Sequence, residues 1–302
     1  MTLQVLKTIL YFDVFDHPLA RDEIISYCST EDHKEQEIDL ALKELMQENL
    51  ISRSHGYYFV YGKSSNGINK REQANDRYHQ RLKTARLFSR LISWFPFVRG
   101  VFLSGSISKG VMKADDDIDY FIVTEPGRLW IARTMLILFK KLFLLNSYRN
   151  FCINYFVDTH HLHIHEHNRF TATETVFLLP VFNKPLYLQM LRENEWVKHY
   201  YPCFIQDLTL CRDGEPLLKK GIEKLFNLFG EKLDTYLFRK SDAFIRRKFS
   251  YKGKDEFNSN FSIKKTELRF LPSQQQHIIL EKYREKLRQA KQYKNMTYTR
   301  AG

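Results

Sequence analysis

Apolar positions in the first sixty residues follow the spacing of three short helices and a hairpin. They recur every three or four positions over residues 3–10, again after Pro18, and again from Lys34 to Asn49, which predicts three helices. Aromatic and β-branched stretches flank His55 and Gly56, and this pattern predicts two strands joined by a tight turn. We therefore expect residues 1–63 to form an N-terminal domain.

The central part, residues 64–175, is predicted to contain a small polar linker, a long helix and a mixed sheet. The linker spans Ser64–Asn69, and an apolar stripe predicts a helix from Lys70 to Trp94. The predicted strands are 101–103, 118–123 and 150–157, and a helix begins at about Leu129.

The last part, residues 176–302, is predicted to be α-helical. Amphipathic patterns indicate helices over about 185–196, 215–249 and 273–294, the second of them interrupted near Gly230. Residues 250–262 are polar and predict a loop. The expected fold class is therefore α+β, with the sheet confined to the centre of the chain.

Composition indicates a globular protein, since 43% of the 302 residues are hydrophobic and 15% aromatic. No two of the four cysteines lie close in sequence, so neither a disulfide framework nor a zinc knuckle is predicted. They are Cys28, Cys152, Cys203 and Cys211. The N-terminus lacks the basic start of a signal peptide, and charges at Arg133, Lys140 and Lys141 interrupt the most apolar helix. We expect no membrane span and a cytoplasmic location.

The net charge of +12 is concentrated at the C-terminal end. Residues 231–302 hold 18 Lys and Arg against 8 Asp and Glu, a balance of +10. An acidic partner such as RNA or a nucleotide-bearing substrate would explain this, and a solvated lysine-rich helix face would explain it equally well.

The candidate chemistry lies between Phe102 and Val123, in the stretch FLSGSISKGVMKADDDIDYFIV. Asp117 and Asp119 stand two apart in a predicted strand, so both carboxylates face the same way. A divalent cation such as Mg²⁺ would relieve their repulsion. The Gly105-Ser106 turn opens a short helical segment whose free N–H groups can hold an anion.

These residues resemble the polymerase β-like nucleotidyltransferase superfamily, in particular its minimal members, over about residues 70–170. The matching residues are, in order, Gly105, Ser106, Gly110, Asp117, Ile118 and Asp119, with Asp116 where a Ser is common. An acidic turn after a loop of small residues is the alternative interpretation.

The resemblance implies a nucleotidyltransferase that moves a nucleoside monophosphate from a triphosphate, ATP foremost, to a hydroxyl group. Asp117 and Asp119 would hold Mg²⁺ or Mn²⁺, while Gly105, Ser106, Lys109 and Gly110 would hold the nucleotide. The acceptor could be a small molecule, a protein or an RNA. A non-catalytic nucleotide-binding or regulatory protein is the alternative.

The third strand departs from the family pattern, which usually places a third carboxylate there. Asn154 occupies the central position, and Asp158, expected on the same strand face, is the nearest acid. Because an Asn cannot act as a base, Asp158 would have to reach in, or two carboxylates would suffice. Glu166 and Glu174 are further candidates.

Four histidines alternate just after this strand, at positions 161, 163, 165 and 167. A strand with this pattern either holds a metal or presents one polar face to solvent.

The N-terminal domain resembles a winged helix with its wing tip at His55-Gly56. A DNA reader carries basic residues on its third helix, because phosphate neutralisation supplies most of the affinity. The third helix here is mainly acidic, so we expect a packing or protein-interaction role rather than DNA binding, although Arg53, His55 and Lys63 lie on the wing.

Overall fold

The computed structural model describes residues 1–28, 35–63, 66–145, 147, 149–204, 206–214, 217–270 and 273–300. Two predicted helix starts, Lys34 and Glu215, lie outside the described residues. So do two residues of the predicted linker, Ser64 and Ser65. The chain has a mixed α+β fold.

The N-terminal region contains the three predicted helices and the predicted hairpin. Its elements are α1 (Thr2–Asp13), β1 (Leu19–Ala20), α2 (Arg21–Cys28), α3 (Glu35–Gln47), β2 (Ile51–Ser54) and β3 (Tyr57–Val60). The strands form an antiparallel sheet in the order β1-β3-β2. At the hairpin turn, His55 and Gly56 have φ angles of 49° and 83°, which only a few residue types adopt readily. The strand β1 was not predicted, because two residues are too short to show a period.

The central region follows the predicted order of helices and strands. It comprises α4 (Asn66–Ser93), β4 (Val98–Ser104), α5 (Gly105–Ser108), β5 (Asp119–Thr124), α6 (Leu129–Phe143) and β6 (Cys152–Asp158). The predicted linker is wrong from Asn66 onward, because α4 begins at that residue.

The remaining elements include three strands that were not predicted. They are α7 (Arg169–Val176), β7 (Leu179–Phe182), α8 (Lys184–Glu193), the 3₁₀ helix Glu195–His199, α9 (Leu217–Asn227), α10 (Gly230–Lys248), α11 (Lys254–Asn260), β8 (Phe261–Ile263), β9 (Glu267–Phe270) and α12 (Ser273–Arg300). The break near Gly230 is confirmed. The purely helical C-terminal region is wrong, because β7 and β9 pair with the distant strands β4 and β6. The loop over 250–262 is wrong because α11 occupies most of it and β8 begins at Phe261, where it pairs with β9.

The main sheet has six strands in the order β7-β4-β5-β6-β9-β8. Only β5 and β6 run parallel to each other, and the other neighbours are antiparallel. Pro180, which cannot donate a ladder hydrogen bond, lies in β7 at the edge of the sheet. One sheet face packs in a large core with Trp130, and the other packs in a smaller core with Tyr187. The sheet thus draws strands from residues 98–270.

The helix α7 joins the N-terminal region to the main sheet. Arg169, at its first turn, is 6% exposed and lies over the rings of Tyr11, Tyr201 and Tyr283 at 5.1, 5.6 and 5.8 Å. Its guanidinium also donates a hydrogen bond to the Thr8 hydroxyl. These residues come from α1, α7, α12 and the segment after the 3₁₀ helix, and they form one aromatic core.

Within the described ranges, no helix has the length and apolar character needed to cross a membrane.

Candidate functional site

The loop after β4 touches the first residue of β5. Gly105 has a φ of +69°, and a Cβ built on it would lie 2.4 Å from Asp119 Oδ2. Gly110, at the end of the same loop, has a φ of +67°. Any other residue at position 105 would adopt a strained backbone and collide with the carboxylate. The Asp119 carboxylate therefore occupies the space that a side chain at position 105 would need.

Asp119 is a carboxylate in an unfavourable environment. Burial, together with the negative charges of Asp117 and Glu174, raises the pKa of its carboxyl to about 6, against the opposing charge of Lys109. The Asn154 amide donates a hydrogen bond of 2.7 Å to Asp119 Oδ1.

Asp117 is half-buried and precedes the first ladder contacts of β5. The backbone N–H of Ile118 donates to Arg149, and its carbonyl accepts from Cys152, so this segment is already extended. Asp117 precedes the first residue of β5, so it lies outside the strand in which it was predicted, and its negative charge acts on Asp119.

A β-bulge in β6 places Asn154. Tyr120 is paired with Ile153 and Phe121 with Tyr155, so Asn154 is the extra residue of the bulge. Asn154 and Tyr155 consequently both lie on the pocket side of the sheet. The prediction that Asn154 lies beside Asp119 is confirmed, and the simple alternation predicted for the strand is wrong.

Asp158 lies away from Asp119, so the alternative in which it reaches into the site is wrong. It pairs with Thr124 at the far end of β5, about 16 Å from Asp119 at about 3.3 Å per residue. Its side chain is 2% exposed and accepts hydrogen bonds from the His160 N–H at 3.0 Å and the His161 ring at 2.6 Å. The bulge has removed it from the strand face that carries Asn154.

Glu174, on α7, is the third carboxylate that the fold brings to Asp119. Both residues line one pocket, and Glu174 pairs with Lys109 at 2.9 Å. The Lys109 ammonium also donates to the Gly105 carbonyl at 2.9 Å. Lys109, predicted to hold phosphate, thus connects the Gly105 loop to α7 in this structure. Sequence spacing gave only a weak indication of Glu174, because it lies 55 residues beyond Asp119.

Residues 160–167 form no strand, contrary to the prediction. The His163 ring lies 2.8 Å from the Glu193 carbonyl oxygen, and His167 stacks on Trp196. In the part of the chain that the structure describes, no group of three or more His, Cys, Asp or Glu side chains is arranged to hold a metal.

A pocket of about 110 Å³ opens beside Asp119. Its floor is formed by β4, β5, β6 and β9, and its roof by α7 and the segment that precedes it. The floor contributes Phe121, Asn154, Tyr155 and Arg269, and the roof contributes Ile164, Phe170, Glu174 and Leu178. Most of these side chains are apolar, and the carboxylates lie together at the end next to Gly105.

The donor set near Asp119 fits Mg²⁺. This ion prefers oxygen ligands and is commonly bound by one or two protein carboxylates together with substrate phosphates. Asp117 and Asp119 supply the carboxylates, whereas Asn154 turns its amide nitrogen to Asp119 and its carbonyl oxygen accepts from the Cys152 thiol at 3.3 Å. A cation there would also remove the repulsion that raises the Asp119 pKa.

Comparisons with protein-family models, with curated proteins and with solved structures found no match to this chain. The function must therefore be inferred from the residues of the site and their geometry.

Proposed function

We propose that the chain is a Mg²⁺-dependent nucleotidyltransferase of the polymerase β-like type. The observation that carries this proposal is the contact of Gly105 with Asp119, whose pKa is raised by burial and by two further carboxylates. The glycine loop lies against carboxylates that repel one another. A bound cation would relieve this repulsion, and the loop would face the phosphates that the cation also binds.

In this proposal each residue has a defined task. Asp117 and Asp119 would hold Mg²⁺, which when bound neutralises charge on the triphosphate. The backbone of Gly105 and Ser106, with Gly110 closing the loop, would face the phosphates.

The transfer step follows from the proposed chemistry. An acceptor hydroxyl oxygen forms a bond to the α-phosphorus of ATP, and the bond from that phosphorus to pyrophosphate breaks. The hydroxyl proton needs an acceptor, and an Asn side chain cannot take it. Glu174 is the carboxylate of the pocket placed to receive it, since it faces the same cavity as Asp119.

The N-terminal region is included in the proposal as a winged-helix-like interaction module. Its α3 carries Glu35 and Asp39, which pair with Arg21 at 3.2 and 2.7 Å. On the wing side, Lys63 pairs with Asp13 and Asp16 at 2.9 Å each. In these ion pairs the basic side chains of Arg21 and Lys63 bind carboxylates of the same domain, whereas a DNA-binding domain would direct them at phosphates. The pairs therefore support a protein-packing role.

One observation favours the non-catalytic alternative. Asn154 occupies the strand position where a third carboxylate would be expected, and it hydrogen-bonds to Asp119. A nucleotide-sensing protein would bind MgATP and transfer nothing. Incubation with each labelled nucleoside triphosphate, Mg²⁺ and cell extract separates the two functions, because transferase activity leaves label on RNA, protein or a small molecule.

Calorimetry with MgATP tests the nucleotide site directly. We expect binding that requires Mg²⁺ or Mn²⁺ and falls by at least about 100-fold in the Asp117→Ala, Asp119→Ala double variant, since two charge-assisted contacts are lost. The matched control is Asp22→Ala with Asp255→Ala, which removes two exposed acids on α2 and α11. Equal affinity in the two double variants would contradict the proposal.

A further inference from the structure

The pocket between the sheet and α7 has Gly105 at one end, and its remaining lining differs from the Gly105 loop in being largely apolar. Its walls are ring and branched apolar side chains, and Phe121 stacks on Tyr155 with ring centroids 4.4 Å apart. The hydroxyl of Tyr155 is held by Glu267 at 3.2 Å, so the ring is fixed as part of the floor. Leu178 and Phe121 are 2% and 4% exposed. The walls are therefore preformed.

The volume limits what the pocket can hold. At about 110 Å³ it is smaller than the typical ligand site of about 300–1,000 Å³. It is close to apolar cavities of about 150 Å³ that bind benzene. A single ring fits this space, and a larger ligand would extend out of the open side of the pocket.

Charge around the pocket excludes an anionic ligand. Arg269, a cation among the described lining residues, faces Glu166 at 2.8 Å and Glu267 at 3.9 Å. Lys109, behind the acid end, is paired with Glu174. A carboxylate or phosphate on the ligand would meet no net positive charge, and it would lie near Asp119.

We propose that this pocket is the acceptor site and takes a neutral, single-ring molecule whose hydroxyl group points at Asp119 and Glu174. The apolar walls recognise the ring, and the carboxylates accept the hydroxyl hydrogen bond. The role as acceptor site rests on the proposed transferase function, whereas the binding of the ring does not.

The test uses 4-fluorophenol and the full chain, followed by fluorine NMR. We expect a Kd of about 1 mM or tighter, which corresponds to about −4 kcal/mol. Leu178→Trp fills the pocket and should weaken binding at least about tenfold, equivalent to about 1.4 kcal/mol. Leu188→Trp, on the exposed side of α8 (39% exposed), is the matched control and should leave the Kd unchanged.

A second variant keeps the test valid if Leu178→Trp fails to fold. Ile164 is half-buried at the roof, so Ile164→Ala enlarges the pocket at little cost to folding. It should strengthen binding of 2-naphthol by about threefold over wild type, or about 0.6 kcal/mol. No change for 2-naphthol, or no binding of 4-fluorophenol to wild type, would overturn the pocket assignment.

MgATP separates the failure of this inference from the failure of the proposed function. Both ligands should bind together, so saturating MgATP should leave the 4-fluorophenol Kd unchanged. Displacement by MgATP would show that the pocket holds the nucleobase, and would overturn the acceptor role. Binding of 4-fluorophenol by a chain that binds no MgATP would reject the transferase and its acceptor site, while the ring pocket itself would stand.

Discussion

Two buried carboxylates stand at opposite ends of the paired strands β5 and β6, and their surroundings differ in kind. Asp158 accepts hydrogen bonds from a backbone N–H and from a histidine ring. Through these two bonds its side chain closes a turn. Asp119 lies against a glycine and near two further acids, and its pKa is raised to about 6. Burial alone therefore does not mark a functional acid. Asp119 also accepts a hydrogen bond, from the Asn154 amide, so the difference lies in the two further acids beside it, whose repulsion a cation would relieve.

The largest effect is expected for Asp158→Ala. Its removal takes away the acceptor of two hydrogen bonds, from the His160 N–H and the His161 ring, and at about 0.5–1.5 kcal/mol each the loss is about 1–3 kcal/mol. Chemical unfolding should show this loss, while calorimetry should show unchanged MgATP affinity. A variant that kept wild-type stability and lost nucleotide binding would show that Asp158 belongs to the site.

An effect of comparable size and opposite sign is expected for Asp119→Asn measured without divalent cations. The wild-type carboxyl has a raised pKa in the folded state, so its ionisation destabilises the folded state. This destabilisation grows as pH rises from about 4 to 6 and is complete above that. One pKa unit corresponds to about 1.4 kcal/mol, so the variant should gain up to about 3 kcal/mol at pH 7.5.

The pH profile of this variant supplies its control. At pH 3.5, where the wild-type carboxyl is largely protonated in both states, the gain should disappear. Mg²⁺ should raise the thermal midpoint of wild type and leave that of Asp119→Asn unchanged. A variant less stable than wild type at pH 7.5 would mean that Asp119 is a structural acid like Asp158.

The smallest effect is expected for His161→Ala. The His161 side chain is 54% exposed, and solvent-exposed ion pairs contribute about 0–1 kcal/mol. A loss below about 1 kcal/mol in chemical unfolding would assign most of the Asp158 contribution to the backbone donor. A loss as large as that of Asp158→Ala would assign it to the ring instead.

The sequence by itself determined the elements whose signals are local. Helical spacing located α1 and α3, and the turn residues His55 and Gly56 located the hairpin, because their backbone preferences act within a few residues. The Gly105-Ser106 turn and the two aspartates of the D-I-D motif were likewise visible as a pattern. The strand order that the resemblance implied correctly predicted that Asn154 lies beside Asp119.

Only the tertiary structure decided the features that depend on pairing over long distances. The strands β7, β8 and β9 are too short to show a period. They exist because β4 pairs with β7, β6 pairs with β9, and β9 in turn pairs with β8. The bulge at Asn154 reversed the expected side of Asp158, since one extra residue exchanges the faces of everything beyond it. Glu174 lines the same pocket as Asp119 because α7 packs over that pocket, an arrangement that a strand period cannot reveal.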